Sequence, residues 1–273
     1  MEELQRLKDI LTDMGRVAVA FSGGTDSTLL LRLARDWLGA EHVLALTAVS
    51  PSQPAVERAE AEAMARRIGV RHLLIETPEL ADADYAANPP ERCYICKRII
   101  LEHLIRRAKN EGFRDVVDGS NADDLSDYRP GLKAAAERAV RAPLAEAGLT
   151  KADIRALAAA LGLSIHEKPA SPCLSSRVPY GEAVTPEKLA RIDAAETFLR
   201  SLGFRECRVR HHADLARIEV PAGEVARLAA PELRTRVDAH LRELGFRYVA
   251  LDLRGFRSGS LNEVLLGTGL TGR

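Results

Sequence analysis

The sequence predicts an α/β protein, a parallel sheet with helices on both faces followed by a smaller α+β domain. Three observations carry this. Short apolar, β-branched runs alternate with segments of helical periodicity through residues 1–165, the pattern expected of strands joined by helical crossovers. A glycine pair, Gly23-Gly24, separates the first apolar run from the first long helical segment. A proline-rich stretch without periodicity, 166–184, then divides this pattern from a differently textured remainder, and a loop of that length inside a compact chain is usually functional or a linker.

Taken in order, residues 1–15 read as an amphipathic helix of mixed charge. RVAVAFSGG (16–24) is a buried strand ending in glycine, and 27–39 a helix with leucines at helical spacing and a glycine stop. Strand 43–50, helix 54–69, strand 72–77, helix 97–112 and a fourth strand with its exit loop at 115–121 follow. A helix at 150–162 is expected to be capped by Thr150. The stretch 166–188 holds four prolines and reads as a hinge loop. Thr185 as N-cap with Pro186 at the first helical position opens a helix over 185–203. Two adjacent strands within 206–220, a helix around 231–245 and a last strand at 247–253 complete the chain. The expected division is a first domain at 1–165, a cysteine-bearing hinge at 166–184 and an α+β domain for substrate binding or oligomerisation at 185–273.

With 273 residues the chain buries enough surface to need no staples. Its 39 Lys+Arg balance 39 Asp+Glu, which argues against nucleic acid as the main partner, since phosphate binding leaves a basic imprint. No apolar run approaches the length of a membrane span, and the N-terminus has no basic segment followed by an apolar one. Four cysteines are too few for a disulfide scaffold. The expectation is a cytoplasmic protein whose thiols are free, bind metal or react.

The strongest chemical feature is Ser22-Gly23-Gly24-Thr25-Asp26-Ser27, set between a strand and a helix. Glycine lets backbone approach a phosphate closely, hydroxyls add donors, and the helix N-terminus supplies unpaired N–H groups. The bland reading is an ordinary glycine-rich turn. A Walker A loop is excluded because no Gly-Lys-Ser/Thr follows. A second loop, Asp118-Gly119-Ser120-Asn121-Ala122-Asp123-Asp124, ends the fourth strand. It has the composition of a common turn, but its place at the same sheet edge points to nucleotide or magnesium contact.

Cys93 and Cys96 form a C-x-x-C pair read as preceding a helix, and Cys173 lies in the proline-rich loop. This set is open to four readings: a redox pair, a structural zinc site with a fourth ligand, a three-cysteine iron–sulfur cluster with one open iron, or a reactive Cys173. The adjacent Arg92 and Lys97 favour thiolates over three unrelated cysteines. In Cys207-Arg208-Val209-Arg210 the strand period puts Cys207 and Val209 on one face and the arginines on the other. Cys207 reads as buried. The arginines read either as a solvated face, the commoner case, or as a phosphate fork. His211 and His212 lack a partner at ligand spacing, and Glu196 and Glu219 read as ordinary carboxylates.

The hexapeptide 22–27 resembles the PP-loop of the ATP pyrophosphatases, the adenine nucleotide alpha hydrolase-like fold, whose members split ATP between its α and β phosphates. Together with TAVSPSQP, PERCYICK, DGSNADDLSDYRPG, KPASPCLSSRVPYG, CRVRHH and LDLRGFRSGSLNE, the chain resembles the LarE family, ATP-dependent sulfur-inserting enzymes that mature the nickel-pincer cofactor of lactate racemase. The resemblance implies adenylation of a carboxylate of a pyridinium-3,5-biscarboxylic acid mononucleotide, displacement of AMP by sulfur, and release of a thiocarboxylate. It implies nucleotide contacts by Ser22, Gly23, Gly24, Thr25, Asp26 and Ser27, by Ser50, and by Gly119, Asn121 and Asp123, with Asp26 beside magnesium and pyrophosphate. Arg208 and Arg210 would hold the substrate phosphate, with Glu219 nearby. Sulfur comes either from Cys173 itself, leaving dehydroalanine, or by way of a 4Fe-4S cluster on Cys93, Cys96 and Cys173; the presence of all three cysteines favours the cluster. A homo-oligomer, and transient contact with other maturation proteins, are further implications. The rivals are a PP-loop tRNA thiolase, which would need a basic RNA surface; an amide-forming synthetase, which would leave the cysteines without a role; and a non-catalytic nucleotide or metal carrier.

Overall fold

The computed structural model describes residues 2–126, 130–163 and 172–257. Part of the DLSDYRPG stretch, residues 164–171 (the last two residues of the expected first domain and the first six of the expected hinge) and everything from 258 onward lie outside the described residues. The chain divides into two units, residues 1–85 with 90–171, and residues 86–89 with 172 onward.

The first unit begins with α1 (Glu2–Met14), β1 (Val17–Ala20) and α2 (Thr25–Leu38). It continues through β2 (Val43–Val49), α3 (Ala55–Ile68), β3 (Arg71–Glu76), α4 (Ala83–Ala86) and α5 (Arg92–Asn110). It ends with β4 (Asp115–Asp118), α6 (Pro130–Ala136), α7 (Pro143–Glu146) and α8 (Lys151–Ala160). The four strands run parallel in the order β3-β2-β1-β4, with Val17 opposite both Val43 and Asp115. In β1, Val17 and Val19 enter one apolar cluster with Leu29, Leu30 and Leu33 of α2 and Ala61 and Ala65 of α3. Ala18, between them, enters a second cluster with Leu101 and Leu104 of α5. The period of two thus sends successive side chains to opposite faces, each roofed by helices, which is why these strands read as continuous apolar runs. Strand order reverses at β1, since β2 lies on one side and β4 on the other. The crevice at such a switch point is where ligands bind.

Thr150 caps α8 as expected: its hydroxyl accepts from Asp153 N–H while the Asp153 carboxylate accepts from Thr150 N–H. α5 starts earlier than expected, at Arg92. The C-x-x-C pair therefore does not precede this helix but forms its first turn.

In the second unit, α9 (Pro186–Ser201), β5 (Arg208–His212), β6 (Leu215–Glu219), α10 (Val225–Ala229), α11 (Pro231–Glu243) and β7 (Tyr248–Leu251) follow in order. β5 and β6 pair antiparallel, and β7 joins β6 in parallel. Thr185 caps α9 by accepting from Lys188 N–H. Cys207, Val209, Ala216 and Ile218 pack with Leu199 of α9 and Val237 and Leu241 of α11 in a separate core. The unit takes in residues 172–184, which the sequence had placed in a hinge, and residues 86–89 as well. The reason is Asn88. It is fully buried at a positive φ of 59°, and its side-chain amide donates to the carbonyls of Val178, Pro179 and Glu182. Gly181 N–H and Val184 N–H return bonds to the Asn88 and Ala86 carbonyls.

Candidate functional site

β1 ends at the glycine loop, and α2 begins inside it. Gly24 is the N-cap residue and brings no side chain to cap the helix. Gly23 has a φ of 73°, and a Cβ there would lie 3.0 Å from that of Ala61 on α3. Only glycine fits both the conformation and the space. Ser27 Oγ donates to the Gly24 carbonyl at 3.2 Å and lies 3.2 Å from Ser22 Oγ, which itself accepts from Gly24 N–H.

The loop after β4 closes on this turn. A Cβ on Gly119 would meet the Ser27 backbone nitrogen at 2.7 Å, so the close approach again demands glycine. Asn121, fully buried, donates its side-chain amide to Asp26 Oδ2 at 2.8 Å. Asn121 and Asp124 also exchange bonds between side chain and backbone. The structure therefore brings Ser22, Gly23, Gly24, Thr25, Asp26, Ser27, Gly119 and Asn121 together, with Asp26 held by a neutral donor. Asp123 accepts from Lys151 N–H at 2.8 Å, at the start of α8. Asp118 is buried and accepts from Lys97 Nζ at 3.0 Å and from Ser120 N–H. Burial pushes its pKa up, but the Lys97 charge and the Ser120 bond outweigh this and hold it below the usual carboxylate range. Ser50 follows β2 at the same sheet edge.

Cys93 and Cys96 lie one helical turn apart in the first turn of α5, the former exposed and the latter half-buried. Lys97, next in sequence, is the residue that bonds Asp118. Neither cysteine is in a disulfide. Cys173 belongs to the second unit and precedes a 3-10 turn, Leu174–Arg177. Among the described residues no three His, Cys, Asp or Glu side chains group as a metal site. The donor chemistry fits an iron–sulfur group in kind: three thiols outside any disulfide, two of them one helical turn apart.

A residue the sequence reading passed over, Arg177, organises the Cys173 turn. It is fully buried; Nη1 donates to the carbonyls of Pro172 at 2.6 Å and Cys173 at 3.1 Å. Nε and Nη2 form a two-pronged pair with Glu196 of α9 at 2.9 and 3.0 Å. Glu196 is not an ordinary helix carboxylate. It also accepts from Arg200 and from Val209 N–H. Burial raises its pKa, yet Arg177 and these bonds hold it low. The signal in sequence was the spacing from Cys173 to Arg177, which brings a cation back over the cysteine only if a tight turn lies between.

Arg208 and Arg210 do not form a solvated face; they are 7% and 5% exposed. Arg210 clamps Glu219 at 3.0 and 2.8 Å and donates to the Ser176 carbonyl at 2.8 Å. Arg208 donates to the Cys207 carbonyl, and its guanidinium lies 4.9 Å from the Phe256 ring centre. Desolvation and the neighbouring Arg177 lower its pKa. Cys207 is buried as expected, and burial pushes its thiol up to about 12, which removes it from thiolate chemistry.

The asparagine synthase family matches residues 7–206. A pyridinium-3,5-bisthiocarboxylic acid mononucleotide synthase from Lactiplantibacillus plantarum is 44% identical, over 93% of this chain and 92% of its own length. An uncharacterised protein of Synechocystis sp. is 45% identical over 96% of this chain and 98% of its own. A tRNA-specific 2-thiouridylase MnmA from Xanthobacter autotrophicus is 31% identical, over 66% of this chain and 56% of its own length. No helix among the described residues is long and apolar enough to cross a membrane.

Proposed function

This chain belongs to the LarE family of pyridinium-3,5-bisthiocarboxylic acid mononucleotide synthases, built on the PP-loop fold, and we propose how its residues divide that family's work. The enzyme is an ATP-dependent sulfurtransferase that inserts sulfur into the carboxylates of pyridinium-3,5-biscarboxylic acid mononucleotide. The observation that carries the reading is the match to the synthase along almost the whole of both chains. The RNA-thiolating alternative rests on a match to 56% of the thiouridylase, and the charge balance gives it no basic imprint.

In this reading Ser22, Gly23, Gly24, Thr25 and Ser27 cradle the triphosphate with backbone N–H groups and hydroxyls. Asp26 meets the magnesium that accompanies pyrophosphate, and a carboxylate is the hard oxygen donor such an ion takes. Asn121 fixes the Asp26 side chain without neutralising it. A substrate carboxylate oxygen attacks the α-phosphorus and pyrophosphate leaves, giving an acyl-adenylate. A sulfur nucleophile then bonds the acyl carbon and AMP departs. Arg208 and Arg210 serve the substrate phosphate, with Glu219 setting the Arg210 orientation. Cys93, Cys96 and Cys173 would hold a 4Fe-4S cluster, which when bound supplies an iron open to sulfide. Arg177 holds the backbone of the Cys173 turn. A cytoplasmic homo-oligomer that hands its product to other cofactor-maturation proteins completes the proposal.

The test is turnover with ATP, magnesium, sulfide and the biscarboxylate mononucleotide. The expected products are AMP and pyrophosphate, one of each per oxygen-to-sulfur exchange, and a nucleotide carrying one and then two such exchanges. Asp26→Ala should stop AMP and pyrophosphate formation while leaving the circular dichroism spectrum unchanged. Undiminished adenylation at saturating ATP and magnesium would remove Asp26 from this role.

A further inference from the structure

Ser50, Ser52 and Glu79 form a hydrogen-bonded chain where β2 ends, and its direction is set at one end. The Ser52 hydroxyl donates to Glu79 Oε1 at 2.9 Å, and the two serine hydroxyl oxygens lie 2.7 Å apart. A hydroxyl carries one proton. Ser52 commits its proton to the carboxylate, so Ser50 must donate its own to Ser52. Ser50 Oγ also accepts from Ser52 N–H at 3.2 Å. One lone pair then remains for anything outside the chain, and Ser50 meets a ligand purely as an acceptor.

Glu79 is an ionisable side chain held out of solvent. It is 0% exposed, and its Oε2 has no hydrogen-bond partner among the described residues. A half-satisfied buried carboxylate is costly; one whose task is to orient Ser52 needs only Oε1. The location fits a nucleotide base. β2 pairs in parallel with β1, so Ser50 and the phosphate loop leave the sheet at the same edge. On the far side of β1 the Gly119 backbone already closes on Ser27, leaving the β2 side for whatever extends from the phosphates.

We propose that Ser50, oriented by Ser52 and the buried Glu79, selects the 6-amino group of adenine and so makes this enzyme prefer ATP to 6-oxopurine nucleotides. Ser50 is the binding residue, and Ser52 and Glu79 are positioning residues. The inference rests on the ATP-dependent reading above. A ribose hydroxyl is also a donor, and a 2′-deoxy substrate separates the two.

The experiment measures kcat/KM for AMP or IMP formation with ATP, ITP and 2′-deoxyATP, in the wild type, Ser50→Ala, Ser52→Ala and Ser52→Thr. The wild type should prefer ATP to ITP by about 10-fold or more, because a site built around one hydrogen bond rejects a mismatched group. In Ser52→Ala the Ser50 proton is released and can serve a 6-oxo group. ITP turnover should therefore rise while ATP turnover falls, bringing the ratio towards unity, and Ser52→Thr should keep the preference. Loss of folding would lower both nucleotides together and leave the ratio alone. An unchanged ratio in both alanine variants overturns the proposal, as does a change confined to 2′-deoxyATP. If the wild type forms no AMP from any nucleotide, the ATP reading falls and this inference with it.

Discussion

Arg177 donates to two successive backbone carbonyls, those of Pro172 and Cys173, while its other nitrogens grip Glu196. A fully desolvated ion pair gains little net stability over apolar residues of the same volume, but removing one partner strands the other charge. Glu196→Ala should therefore destabilise the protein by about 3–5 kcal/mol, read as a shift of the urea midpoint at constant slope. The paired change Arg177→Met with Glu196→Leu should recover most of that stability. It should nevertheless slow sulfur transfer while leaving AMP formation intact, since the Cys173 turn loses its two carbonyl anchors. If the double variant kept full sulfur transfer, the pair would be purely structural. At this scale the glycine loop between β1 and α2 was legible in the sequence, because a glycine pair between an apolar run and a helical segment marks where the chain must turn tightly. Arg177 was not, because its partner sits on α9 and only the folded turn shows which carbonyls it reaches.

Strand β5 shows what a period of two can and cannot tell. The pattern correctly separated Cys207 and Val209 from Arg208 and Arg210, but it implied that one face meets water. Four of the five strand residues are buried, both arginines included. A strand buried on both faces can hold charged groups, at a desolvation cost that partners such as Glu219 offset. Helix α5 was misplaced for a different reason: Glu91 gives it no side-chain cap and its first turn carries no acid, so the usual start signals are missing. The same strand carries His211, 2% exposed, with neither ring nitrogen hydrogen-bonded among the described residues. Glu182 lies 3.9 Å from Nδ1, Phe246 packs on the ring, and Lys188 and Arg191 face it from α9. Burial lowers its pKa, with the Lys188 and Arg191 charges adding to this against the pull of Glu182. The folded state therefore takes up the proton at lower pH than the unfolded chain does. Stability is unaffected above the ordinary imidazole value of about 6.5 and is lost as pH falls through it. His211→Phe should keep the neutral-pH midpoint or raise it, and should flatten the decline between about pH 7 and pH 5 that linkage assigns to this group. An equally steep decline in the variant would move the effect elsewhere.

At the scale of the whole molecule, the cysteines divide between the two units. Cys93 and Cys96 share the first turn of α5 beside Lys97, whose ammonium is bonded to Asp118 in the loop that also holds Asp26. Cys173 stands in the second unit under Arg177. Sequence alone could name all three but not their settings, because the backbone of the proline-rich stretch is organised by residues as distant as Asn88. Two sulfur routes make opposite demands on this arrangement. If Cys173 gives up its own sulfur, Cβ–S cleavage leaves dehydroalanine, one sulfur leaves per chain, and Cys93 and Cys96 are dispensable. If the three thiols hold a cluster, each is required, the protein is not consumed, and added sulfide supports many turnovers. A C-x-x-C turn contributes two thiols from one helix start, and the third leaves one iron without a protein ligand, which a fully ligated structural site would not. We therefore expect that replacing Cys93, Cys96 or Cys173 singly by alanine bleaches the visible absorption of anaerobically prepared protein and stops sulfur transfer together. Adenylation should persist in each variant, because the phosphate loop is untouched. Intact-protein mass spectrometry after turnover should show no loss from the Cys173 peptide. A stoichiometric loss of one H₂S at Cys173, with the Cys93 and Cys96 variants still active, would reverse the assignment and make Cys173 the sulfur donor.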